Sequence, residues 1–322
     1  MQSGVLVFGR QVGLSLVRRA AFVSALLFAL TGILAAAGAG LGNSATAHAA
    51  ETIAIGSGNF SEPQILAEMV RLLLEKNTNV KVRHVRNFGG SSLLHRAFTS
   101  GDIQMYISYT GTQFTGVLGM TVTDEWKDPD KVYQFVKAEY GKRFDATVFP
   151  SFGFQDTYAV AVRRATAEKY NLKTVSDLRP YAPQMTIGTD QTFQERKGDG
   201  FAEFVELYGL EFKRTVSMDY GLMYRAAGRG QVDAIVAYST DARIKKEDLV
   251  TLKDDKQFFP PYDAVLFTRN DVVRKYNLGQ ILEPLLGLID EVTMVELNYQ
   301  ADAMGLDPEM VARRFLQSKG LL

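Results

Sequence analysis

Apolar residues beyond position 50 recur with two alternating periods. Thr52-Ile53-Ala54-Ile55-Gly56 is a short apolar run suited to a strand, and Leu66, Met69, Val70, Leu73 and Leu74 follow at the i, i+3, i+4 spacing of a helix. Ser61 and Gln64 predict a capping box for that helix, with Pro63 tolerated in its first turn. Val80, Val82 and Val85 mark a second strand that ends at Asn87-Phe88-Gly89-Gly90, and Leu93, Leu94, Ala97 and Phe98 return to the helical period. A β-α-β-α-β run of this kind predicts a mostly parallel sheet flanked by helices. Further on, the pattern predicts helices over 129–143, 195–208, 281–288, 293–302 and 308–317. It predicts strands over 157–163, 185–188 and 264–268.

Two stretches 129 residues apart repeat one unit. Leu94-His95-Arg96-Ala97, Gly101 and Tyr109 match Met223-Tyr224-Arg225-Ala226, Gly230 and Tyr238. Each unit reads as an amphipathic helix stopped by a glycine at positive φ, then a short strand (103–107 and 232–237) that delivers a tyrosine at its carboxyl end. Ligands of open α/β sheets bind beyond the carboxyl ends of the strands, so two such units predict two similar lobes facing one cleft. Chain crossings near 152–154 and 258–262 fit this arrangement, with a hinge at their junction. The expected organisation is a leader over 1–49, a first lobe from 50–152 and 259–322, and a second lobe from 153–258.

The first fifty residues differ in composition. Arg10, Arg18 and Arg19 precede an apolar run over 20–41, Ala47-His48-Ala49 reads as a cleavage signal, and no acid occurs before Glu51. This predicts export with cleavage near Ala49; the length of the apolar run leaves a retained membrane anchor as the alternative. Removing the leader leaves 33 basic and 36 acidic residues, a formal charge of −3, which offers nothing to nucleic acid. Cysteine is absent, which excludes disulfides, thiolate chemistry and a lipid-modified cysteine after the leader. The expected location is therefore the periplasm, and the expected state a free monomer.

Catalytic constellations are scarce. His84 and His95 stand in no metal-ligand spacing, and no G-x-S-x-G elbow is present. Gly56-Ser57-Gly58 lacks the third glycine of a dinucleotide fingerprint, and Lys81 and Arg83 stand where an acid is needed. No enzyme activity, metal or cofactor is expected. An exported hydrolase would need a nucleophile–base pair that the chain does not show. Aromatic residues are the abundant resource. Tyr109, Tyr158, Tyr238 and Tyr262 all fall at predicted lobe edges or crossings. Four rings around one point suit a quaternary ammonium, each contributing about 0.5–2 kcal/mol.

At these residues the chain resembles the substrate-binding proteins of osmoprotectant ABC transporters, which take up glycine betaine, choline, carnitine and related compounds. The resemblance runs over 51–322. It is carried by Gly-Asn-Phe-Ser-Glu-Pro-Gln (58–64), Tyr-Thr-Gly-Thr (109–112), Phe-Gly-Phe-Gln-Asp-Thr-Tyr-Ala (152–159), Ala-Tyr-Ser-Thr-Asp-Ala-Arg-Ile (237–244) and Gln-Phe-Phe-Pro-Pro-Tyr-Asp-Ala (257–264). It implies a two-lobe protein that closes on a quaternary ammonium and delivers it to the transmembrane subunits of an ABC permease, with ATP hydrolysed elsewhere. It also implies a cage of Tyr109, Tyr158, Tyr238 and Tyr262, with Thr112 holding the ligand's polar tail. The chain departs from the family at Gln155-Asp156, where Asn-Asn is common. Asparagine donates to a carboxylate and Asp156 does so only when protonated. An ionised Asp156 facing the cleft would favour choline over betaine. A protein of the same fold for a polar amino acid is the alternative; it would use an arginine and an acid rather than four rings.

Overall fold

The computed structural model describes residues 51–322, so the leader expected over 1–49 lies outside the described residues. Ten strands are present: β1 (Thr52–Gly58), β2 (Lys81–Phe88), β3 (Met105–Tyr109), β4 (Ala146–Val148), β5 (Tyr158–Arg163), β6 (Thr186–Thr189), β7 (Arg214–Ser217), β8 (Ala234–Tyr238), β9 (Leu249–Leu252) and β10 (Ala264–Arg269). They form two five-stranded sheets, in the orders β2-β1-β3-β10-β4 and β7-β6-β8-β5-β9. In the first, β10 alone runs against its neighbours, and in the second β5 does. The sheets are thus built to one plan, with β3 and β8 in the same third place. That shared place is the structural content of the sequence repeat. Gly101 and Gly230 both carry the expected positive φ, 87° and 70°.

The helix Ser61–Asn77 shows how the apolar stripe positions the first sheet. Ile65, Leu66, Met69, Val70 and Leu73 are buried, each stabilising the fold by about 1.5–3 kcal/mol. The capping box does not form. Phe60 is the N-cap residue, the Ser61 hydroxyl donates to Asp302, and Gln64 donates to the Gly58 carbonyl and to Asn87. Long-range partners thus take both side chains from the local motif. The helix expected over 195–208 is also broken, into Gln191–Glu195 and Phe201–Tyr208, with a loop at 196–200 between them. The strands after the two glycines start and end up to two residues later than their apolar runs suggest, at Met105–Tyr109 and Ala234–Tyr238.

The chain passes between the sheets twice, between β4 and β5 and between β9 and β10. The two passages are hydrogen-bonded to each other. Phe152 N–H donates to the Ala264 carbonyl, Ala264 N–H to Phe154, and Asp156 N–H to Tyr262, with Gln155 opposite Asp263. One apolar core continues from Ile55, Leu66 and Met69 through Phe152, Phe154 and Phe259 to Val160, Ile187 and Phe204. Among the described residues no helix is long and apolar enough to cross a membrane.

Candidate functional site

The equivalent places of β3 and β8 bring their carboxyl ends to the junction of the lobes, and with them Tyr109 and Tyr238. Tyr158 opens β5 and pairs in register with Tyr238; Tyr262 precedes β10 by two residues. All four border one small cavity of about 70 Å³, together with Thr112 and Asp156. The Tyr158 ring lies 5.0 Å from that of Tyr238 and meets Tyr262 edge-on at 5.7 Å and 90°. Tyr109 joins through Phe60, which stacks on it at 6.2 Å and lies 5.3 Å from Tyr238. Phe60 belongs to a motif quoted above for resemblance, and its ring in the cavity is an addition from the structure.

Carboxylates behind the rings take up three of the four tyrosine hydroxyls. Tyr109 donates to Glu62 at 2.7 Å, Tyr238 to Asp190 at 3.2 Å, and Tyr262 to Asp199. Burial, with nearby carboxylates, moves the pKa of these three phenols well above its usual value, so they stay neutral. A neutral phenol keeps a ring face that is negative at its centre and able to attract a cation.

Arg196 is the cavity residue that sequence reasoning missed. Its guanidinium carbon lies 5.3 Å from the Tyr158 ring centroid, and its Nη1 reaches Thr112 Oγ1 at 3.4 Å and Asp199 Oδ2 at 3.3 Å. The side chain is only 7% exposed. It enters the cavity because the helix stops before it. Gly198 has φ of 89°, and a Cβ on Gly200 would run into the carbonyl of Arg196. Lys197-Gly198-Asp199-Gly200, with two glycines in four residues, was the available signal.

Two buried acids close the rear. Glu62 accepts from Tyr109, from the Thr240 hydroxyl at 2.6 Å and from Asn298 Nδ2 at 2.9 Å. Burial pushes its carboxyl up to about 7. Asp156 borders the cavity and receives one long bond, from Thr240 N–H at 3.4 Å; its Oδ2 is buried and unpartnered. Burial and then the charge of Glu62 raise its pKa well above the usual carboxylate range. Bonds between the lobes surround the cavity: Thr240 to Glu62, Arg196 to Thr112, Tyr262 to Asp199, and Arg243 to Asp302 at 3.4 Å. The lobes are therefore in contact across the cleft. Among the described residues no group of three or more His, Cys, Asp or Glu could hold a metal.

Residues 51–318 match the family model described as the substrate binding domain of ABC-type glycine betaine transport systems. The carnitine transport binding protein OpuCC of Listeria monocytogenes is 41% identical over 280 residues, 86% of this chain and 89% of that protein. The glycine-betaine-binding protein of Pseudomonas aeruginosa is 33% identical over 285 residues, 85% of this chain and 89% of its own length. A crystal structure of a glycine betaine/carnitine/choline ABC transporter protein superimposes with a TM-score of 0.69 at 38% identity, covering 84% of this chain and 99% of that one. These likenesses agree with the two-lobe α/β architecture and describe a transport family rather than an enzyme class. The chain belongs to the family of substrate-binding domains of ABC-type glycine betaine transport systems.

Proposed function

We propose that this protein captures a quaternary ammonium compound that also carries a carboxylate, such as glycine betaine or carnitine, and presents it to an ABC permease in the periplasm. Tyr109, Tyr158, Tyr238 and Tyr262, with Phe60, would enclose the cationic head. Arg196 and Thr112 would hold the carboxylate. The observation that carries this reading is that a buried guanidinium and four tyrosines border the same small space. A cage alone accepts any quaternary ammonium, whereas a fixed positive charge beside it repels a simple cation and attracts a zwitterion. Choline is accordingly the weaker ligand. Export with a cleaved leader and action as a monomer are parts of the same proposal.

The amino-acid alternative gains one observation, because Arg196 and Asp156 both border the cavity. An ammonium group needs several acceptors, however, and Asp156 is the one acid side chain that borders this cavity. Calorimetric titration of the leader-free protein with glycine betaine, carnitine, choline and a polar amino acid decides between them. Tight binding of the first two, with choline weaker, is expected. Binding of the amino acid alone, or of none of the four, overturns the reading.

A further inference from the structure

Glu62 and Asp156 are two acids in one buried space, and their partners are unequal. Glu62 receives three donors and has no acceptor beside it, so although burial moves it up to about 7 it ionises before Asp156 as the pH rises. Asp156 receives one long bond at Oδ1, while Oδ2 is buried, unpartnered and at the cavity wall. Buried carboxyls that share one donor residue, Thr240, do not both ionise readily, and the proton goes to the one with fewer donors. The other charges facing the pair are already committed. Asp241 is held by Arg243, which also reaches Asp302, and Arg196 is held by Asp199. Tyr109, which donates to Glu62, and Tyr220 are moved well above the usual range by burial and stay neutral. The cavity wall contains no histidine.

We propose that Asp156 serves the site as a neutral carboxyl whose Oδ2–H donates to the ligand's carboxylate, and that this proton is the point at which pH selects between ligands with and without a carboxylate. The inference rests on the quaternary ammonium reading above and adds to it a residue that sets specificity. A protonated Asp156 offers the donor that asparagine offers in the family pattern, so the repulsion of betaine expected from the sequence belongs only to the ionised form. Burial and the nearby Glu62 keep that form scarce near neutrality. A carboxylate ligand binds with the proton in place and opposes its loss. A simple cation favours the ionised acid and expels the proton. Raising the pH should therefore weaken betaine relative to choline.

The test is the ratio of the glycine betaine and choline dissociation constants, measured from about pH 6 to about pH 9 for wild type and Asp156→Asn. In wild type the ratio should rise by about tenfold or more, because one linked proton changes an affinity by up to about tenfold per pH unit. In Asp156→Asn it should stay within about twofold of the wild-type value at low pH. A second measurement needs no variant. Titration of wild type at about pH 8 in buffers of different ionisation enthalpy should show proton uptake with glycine betaine and release with choline. A ratio with the same pH dependence in both proteins, or no proton exchange with either ligand, overturns the proposal while leaving the binding function intact. Failure of wild type to bind either ligand at any pH overturns the functional reading and this inference with it.

Discussion

Replacing Arg196 by glutamine tests the bipolar site most directly. The guanidinium is buried, spreads over Tyr158 and touches Thr112, with Asp199 as its only acidic partner. A ligand carboxylate placed against it would receive two charge-assisted bonds, worth about 1.5–3 kcal/mol each. Breaking a buried pair from one side costs about 3–5 kcal/mol, the same range. At about 1.4 kcal/mol per decade, glycine betaine should bind about 100- to 4,000-fold more weakly. Choline makes no such bond and is relieved of a like charge, so its affinity should stay within about fivefold or improve. The substitution also leaves Asp199 buried with the Tyr262 hydroxyl, so the melting temperature should fall. Arg196→Lys, which keeps the charge beside Asp199 and loses the fork, separates the two effects. It should recover stability and only part of the betaine affinity. Calorimetry with both ligands reads the result. Equal weakening of betaine and choline by Arg196→Gln would refute the reasoning and make the arginine a structural support.

Because cation–π attraction needs the ring, Tyr109→Ala and Tyr238→Ala should each weaken betaine binding by at least about tenfold, with phenylalanine tolerated better; wild-type affinity in both alanine variants would exclude the cage. Small-angle scattering should show the ligand-free protein wider and the liganded one compact, and an unchanged radius at saturation would count against hinge closure. Glu62, moved by burial to about 7, holds its proton more tightly folded than unfolded. Its contribution is complete below about pH 4.5 and is lost as the pH rises through about 7, so the melting temperature of the ligand-free protein should fall by an amount equivalent to about 3 kcal/mol. Glu62→Gln should flatten that slope, and thermal melts across pH check it.

The two lobes and the meeting of the four tyrosines at one cavity were legible because both rest on short-range patterns. A helix stopped by Gly101 or Gly230 and a strand ending in tyrosine are local, and the two sheets place them equivalently. Arg196 was hidden because a helical apolar pattern runs across 195–208. Only the positive φ of Gly198 and the crowding at Gly200 break it. Glu62 resembles any acid in the first turn of a helix, where it complements the dipole. Its burial depends on Thr240 and Asn298, 178 and 236 residues away in sequence. Ser61 looks like a cap for the same reason, and Asp302 claims it. Pairings over such separations leave no periodic trace.

The two passages between the sheets are bonded to each other, and Asp156 and Tyr262 are among the residues that bond them. Such a ribbon bends as one piece, so its own neighbours hardly separate when the lobes part. Tyr158 and Tyr262, in edge-on contact beside the ribbon, should therefore stay together in the open protein, while Tyr109 and Phe60 swing away with the other lobe. On the proposed function, capture would then have two stages: a solute would land on a half-cage that needs no assembly, which would govern the rate of arrival, and the second half would set how long it stays. Substitutions at Tyr158 should slow association, and those at Tyr109 should shorten residence.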